Sequence, residues 1–212
     1  MHDWITELKE VLKKTLGKEL VMPKRKMKKI NNLEDFFTLF PEAKEIWIDG
    51  SERPTRRPKD KKKQKKQYSG KKKRHTKKNL IVSDKKKRIL VVTKTVVGKK
   101  HDYDLFKREK LAQGIPKEIK TWLDTGFQGV KKDFPNLKVS MPKRASRGHP
   151  LTEKDKIKNK KVSKKRVLVE NAICGIKRLR CLTDVCRNIK ENFADDFIML
   201  GAGLWNYHLK TS

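Results

Sequence analysis

The stretch Ile46–Glu52, IWIDGSE, sets three apolar residues directly before a carboxylate and a glycine. Read as the end of a buried strand running from Ala43 to Gly50, it presents Asp49 at a sheet edge, where an acid is costly unless something uses it. A second stretch, WLDTGFQG at Trp122–Gly129, repeats the arrangement, with a strand over Glu118–Leu123 delivering Asp124 shortly before Gly126. A third, RVLVENAICGIKRLR at Arg166–Arg180, carries Glu170 on a segment of helical apolar spacing. Two strand-end aspartates and a helical glutamate make the hard oxygen donor set that divalent cations take in phosphoryl chemistry. No local motif joins the three acids, so the fold must assemble them.

On its helix Glu170 has Arg166 four residues before it and Lys177 seven after, with Val169, Ile173 and Ile176 turned to the core. The carboxylate therefore sits at the margin between the core and a basic stripe. The plainer alternative is a surface ion pair with Arg166, worth only a few tenths of a kcal/mol.

The remaining elements follow from periodicity. Residues 2–20 form an amphipathic helix with Trp4, Ile5, Leu8, Val11, Leu12 and Leu16 on one side. Asn32 opens a short helix that Pro41 closes. Asn79–Ser83 and Arg88–Val97 predict a hairpin turning at Asp84–Lys87, followed by a helix over Tyr103–Gln113 and one more short strand at Lys138–Pro142. Arg144–Lys165 reads as loop or exposed helix, and Glu191–Leu209 as a final helix. Strands first and helices last make an α/β pattern with a hairpin-rich first half.

Composition narrows the partners. With 57 Lys and Arg against 25 Asp and Glu, the formal charge of +32 makes nucleic acid the first polyanion to consider. The longest apolar stretch, Phe197–Trp205, is too short to span a bilayer, and early acidic residues argue against a signal peptide, so a soluble, cytoplasmic, nucleoid-associated protein is expected. Three cysteines without paired CxxC spacing support neither a disulfide scaffold nor a zinc finger. Between Arg53 and Lys78 lie 15 Lys or Arg and one acid, a density that predicts an internal basic loop, with Lys71, Lys72, Lys73 and Arg74 as phosphate contacts. Arg166 and Lys177 extend that surface.

Five segments in order, DGSE, YSGKKKRHTKK at Tyr68–Lys78, GKKHDYDLF at Gly98–Phe106, DTGFQG and RVLVENAICGIKRLR, resemble the DDE-type transposases of bacterial insertion sequences, the group related to Harbinger elements. The resemblance runs from about Ile46 to the C-terminus. It implies a ribonuclease H-like mixed sheet with flanking helices, and a catalytic and metal-binding triad of Asp49, Asp124 and Glu170. His101 and Asp102 match an accessory His-Asp pair. It also implies two Mg²⁺ or Mn²⁺ ions about 4 Å apart acting on double-stranded DNA in an in-line displacement. Relatives carry a helical DNA-binding region before the catalytic part, whereas only 48 residues precede Asp49 here. The expected division is therefore a remnant of that region over residues 1–30 and the catalytic domain over 31–212, with a second copy or an upstream-frame polypeptide supplying the rest. A non-catalytic DNA binder derived from such an enzyme is the competing reading. A basic ribosomal-type protein would explain the charge but not the three acids.

Overall fold

The structure, a computed structural model, describes residues 2–27, 30, 32–188, 190 and 192–212, the side chains of His2, Asp3, Ile5 and Thr6 aside. Its centre is strand β1, Glu45–Pro54, paired along its length with β3, Arg74–Asp84, in antiparallel register from Ile46↔Asp84 to Pro54↔Thr76. A two-residue strand β2, Tyr68–Ser69, pairs with the start of β3. β4, Ile89–Val92, and β5, Val96–Val97, also pair antiparallel with β3. On the other side of β1 lie β6, Lys120–Trp122, and β7, Val139–Ser140, both parallel. The result is the mixed sheet that the resemblance implied, with antiparallel neighbours first and two parallel strands added by crossover.

Period-two alternation along β1 decides what each face receives. Ile46 and Ile48 point to one side, where they pack with Phe36 of α2 (Leu33–Leu39), Leu105 and Phe106 of α4 (Asp102–Arg108) and Val130 of α5 (Val130–Asp133). Trp47 points to the other, against Trp122, Val169 and Ile173 of α6 (Glu153–Ile176), and Ile198 and Trp205 of α7 (Phe193–Thr211). Each large side chain so buried contributes about 1.5–3 kcal/mol. α6 and α7 approach closely at Gly175, where a Cβ would stand 2.4 Å from the Trp205 ring.

Several local readings hold. Asn32 opens α2 as expected, accepting from the Asp35 amide; α6, for which no cap is read from the sequence, starts at a reciprocal cap between Thr152 and Asp155. The basic stretch before Glu170 is helix from Glu153 on, mostly exposed, with Val162 buried. Val169, Ile173 and Ile176 are buried, as expected, while Val167 is exposed. Glu191, the expected start of the last helix, lies outside the described residues. The helix expected over 2–20, α1 (His2–Lys18), packs on α7: Leu16 and Val21 meet Leu200, and Lys9 and Lys13 reach Asp196 at 2.6 and 2.7 Å.

Two expectations fail. Asp49 is not at a strand end, because β1 continues through Gly50 to Pro54. Gly50 does not turn the chain; a Cβ there would meet Asp102 Oδ1 at 2.7 Å, so the glycine makes room for that carboxylate. Nor is Arg53–Lys78 one solvated loop. It holds the end of β1, the helix α3 (Lys61–Gln67), β2 and the start of β3, and Arg53, Thr76 and Lys78 are buried. Backbone pairing of β1 with β3 satisfies the main chain there, and distant acids and carbonyls satisfy the charged tips.

Candidate active site

Parallel pairing between β1 and β6 stops at Trp47↔Trp122. At that point the two indole rings stack with centroids 6.1 Å apart, and no β1–β6 pair follows it. Asp49, on the same face of β1 as Trp47, therefore projects into an opening beside α6. Asp124 follows β6 by two residues, and its Oδ1 accepts from the Thr125 amide at 2.6 Å as the cap of a short 3-10 helix. Glu170 comes from the exposed side of α6, whose Val169 and Ile173 anchor the helix on the sheet.

These three acids meet at one guanidinium. Arg166 Nη1 lies 3.0 Å from Asp124 Oδ1, while Nη2 lies 3.5 Å from Glu170 Oε1 and 3.9 Å from Asp49 Oδ2. The ion pair between Arg166 and Glu170 that the helix spacing offered is thus present, but as one arm of a four-residue cluster. Burial raises the Asp49 carboxyl above its usual range, and nearby Asp124 and Asp102 add to this against the opposing pull of the Gly50 amide and Arg166. Three acids share one guanidinium, so the cluster is short of positive charge. Hard oxygen donors in that state suit a divalent cation. Among the described residues, no group of three or more His, Cys, Asp or Glu side chains is spaced to hold an ion as it stands.

Behind Asp49, on the opposite face of β1, is a second charged group that sequence reasoning missed. Lys78, opposite Glu52 in the β1–β3 register, lies 3.4 Å from Glu52 Oε1 and 2.9 Å from Asp102 Oδ1, and donates to the Lys100 carbonyl. The contact with Asp102 has ion-pair distance but not hydrogen-bond direction, so Asp102 Oδ1 is buried without a hydrogen-bond donor. Burial works to raise the Glu52 carboxyl, yet hydroxyl donors from Thr76 and Ser69 together with Lys78 hold it below its usual range. His101, the other half of the accessory pair, is exposed and precedes α4 without capping it by its side chain. The available signal was the glutamate inside DGSE, three residues from Asp49 and thus on the other face of the strand. Arg53 also differs from its expected place in a solvated run. Burial pulls its guanidinium down to about 10, and it donates to the Ala194 carbonyl and to Asn79 Oδ1, tying α7 to the sheet.

The expected phosphate contacts divide. Lys71, Lys72, Lys73 and Arg74 are exposed where the chain turns from β2 into β3. Lys72 and Arg74 join Lys177, at the end of α6, around a cleft of about 260 Å³ with Thr76, Thr183 and Glu52 in its wall. Burial lowers the Lys177 ammonium below its usual range, followed by repulsion from Lys72. Arg166 is turned instead into the carboxylate cluster.

A mixed sheet of this topology, with antiparallel neighbours on one side of β1, parallel strands on the other and helices on both faces, is a ribonuclease H-like fold. A family described as DDE superfamily endonuclease matches residues 48–206, well over half of the chain, and the chain belongs to it. No curated protein and no solved structure gives a match. No described helix is long and apolar enough to cross a membrane.

Proposed function

We propose that the protein is a transposase catalytic unit of the bacterial insertion-sequence, Harbinger-related kind, which cleaves and joins double-stranded DNA at transposon ends. The observation that carries this reading is the convergence of Asp49, Asp124 and Glu170, from three separate elements, on one guanidinium. These acids are the residues that would hold Mg²⁺ or Mn²⁺, as two ions. Bound there, the ions would supply Lewis acidity to the attacking and leaving oxygens of an in-line displacement at phosphorus.

The chain's own side chains do the rest. Lys72, Arg74 and Lys177 line the cleft at the end of α6 and engage phosphates, with Lys71 and Lys73 extending the contact along the backbone. Asp102 and Lys78 back β1 beneath Asp49 and hold the strand in position, an accessory role with no contact to substrate. The substrate is double-stranded DNA, engaged together with a second copy or another polypeptide in a nucleoid-associated cytoplasmic complex.

Glu170→Gln tests the reading. The amide keeps size and helix preference but removes the charge, so nicking of supercoiled duplex with Mg²⁺ or Mn²⁺ should fall by at least about 10²-fold while binding in chelator persists. Equal nicking by wild type and variant would rule out the catalytic role of Glu170.

A further inference from the structure

Arg166 occupies the centre of the cluster. Its two terminal nitrogens reach acids on β1, after β6 and on its own helix, and its side chain is only 19% exposed. A guanidinium is planar and so basic that it stays cationic at neutral pH even when buried. It partly offsets the mutual repulsion of acids held in a low-dielectric opening. Its two nitrogens bridge oxygens that a single small ion would otherwise draw together. With the guanidinium among them, no three of the described acids are spaced to hold an ion.

We propose that Arg166 is a built-in counter-ion of the resting site, which competes with divalent metal and must swing out from between the carboxylates before an ion enters. This rests on the metal-site reading above. Ser163 and Glu170, one turn before and one turn after Arg166 on the same face of α6, are exposed, so the guanidinium can swing out along the solvent margin of the helix. At rest the guanidinium keeps the acids assembled, and metal loading exchanges one cation for another without rebuilding the sheet.

The test is Mn²⁺ binding to the full chain by titration calorimetry and electron paramagnetic resonance, beside melting curves in chelator. Arg166→Gln removes the competitor, so its Mn²⁺ affinity should rise by about tenfold, within the ordinary range of a coupling between two ligands. Its Tm in chelator should fall, and the gain in Tm on adding Mn²⁺ should exceed that of wild type. Arg166→Lys keeps the charge but cannot span three acids, and should fall between the two. If the glutamine variant does not fold, the lysine variant decides alone. Asp124→Asn should abolish tight binding. Equal or weaker Mn²⁺ affinity in the Arg166 variants overturns this inference and leaves the metal site standing. Absence of binding in wild type and variants alike overturns both.

Discussion

Arg166 Nη1 stands 3.0 Å from Asp124 Oδ1, tying the middle of α6 to the chain just beyond β6. Asp124 lies past the last paired residue of its strand, so its carboxylate is held by this guanidinium and by Thr125 rather than by the sheet. The site is therefore assembled by ionic contacts across an edge where backbone pairing has ended, and its stability and its chemistry are opposed.

That opposition is measurable at Asp49. A carboxyl whose pKa is raised on folding contributes stability below its unfolded value, near 4, and loses that contribution as pH rises through the folded value. Burial raises Asp49 in this way, so its ionised form weighs against the fold at neutral pH. Asp49→Asn should raise Tm in chelator at pH 7 by about 2–4 °C, the shift that about 1 kcal/mol gives in a domain of this size. The gain should shrink as pH drops below about 4. A lower Tm at neutral pH, or an equal gain in acid, would contradict the role of burial.

The cleft lined by Lys72, Arg74 and Lys177 makes a separate prediction. Alanine at each position should weaken binding to any duplex and reduce the slope of log K against log salt by roughly 0.9 for each phosphate no longer neutralised. Preference among sequences should stay unchanged. Anisotropy titrations at several salt concentrations read both quantities, and an unaltered slope for all three would make the cleft a mere surface gap.

Behind the site, Lys78→Met should be severe. The ammonium is the shared cation of Glu52 and Asp102, and the methionine would leave both acids facing each other with little solvent. Breaking a buried pair on one side costs roughly 3–5 kcal/mol. Urea unfolding should show that loss, and adding Glu52→Gln should restore part of it. A loss under about 1 kcal/mol would place Lys78 with ordinary surface lysines.

Much of this architecture was legible because helical and strand periodicities are local. Ile46, Trp47 and Ile48 announced β1, Glu118–Leu123 contained β6, and Val169, Ile173 and Ile176 placed Glu170 on the open side of a helix. The three acids could be singled out because each interrupts an apolar pattern. Their grouping could not, since they lie far apart along the chain.

Charge by itself misled. In Arg53–Lys78 the run looked uniformly solvated, yet Arg53 and Lys78 are buried and Lys71–Arg74 are exposed. Composition determined that the protein is strongly basic, and patterning determined which segments are strands and helices. Helix spacing offered the Arg166–Glu170 pair, but only the tertiary structure decided the other partners: Lys78 with Glu52 and Asp102, and Arg166 with Asp49 and Asp124. Periodicity depends on neighbours within a turn or two of chain, whereas the fate of a charge depends on what the fold sets within about 4 Å of it.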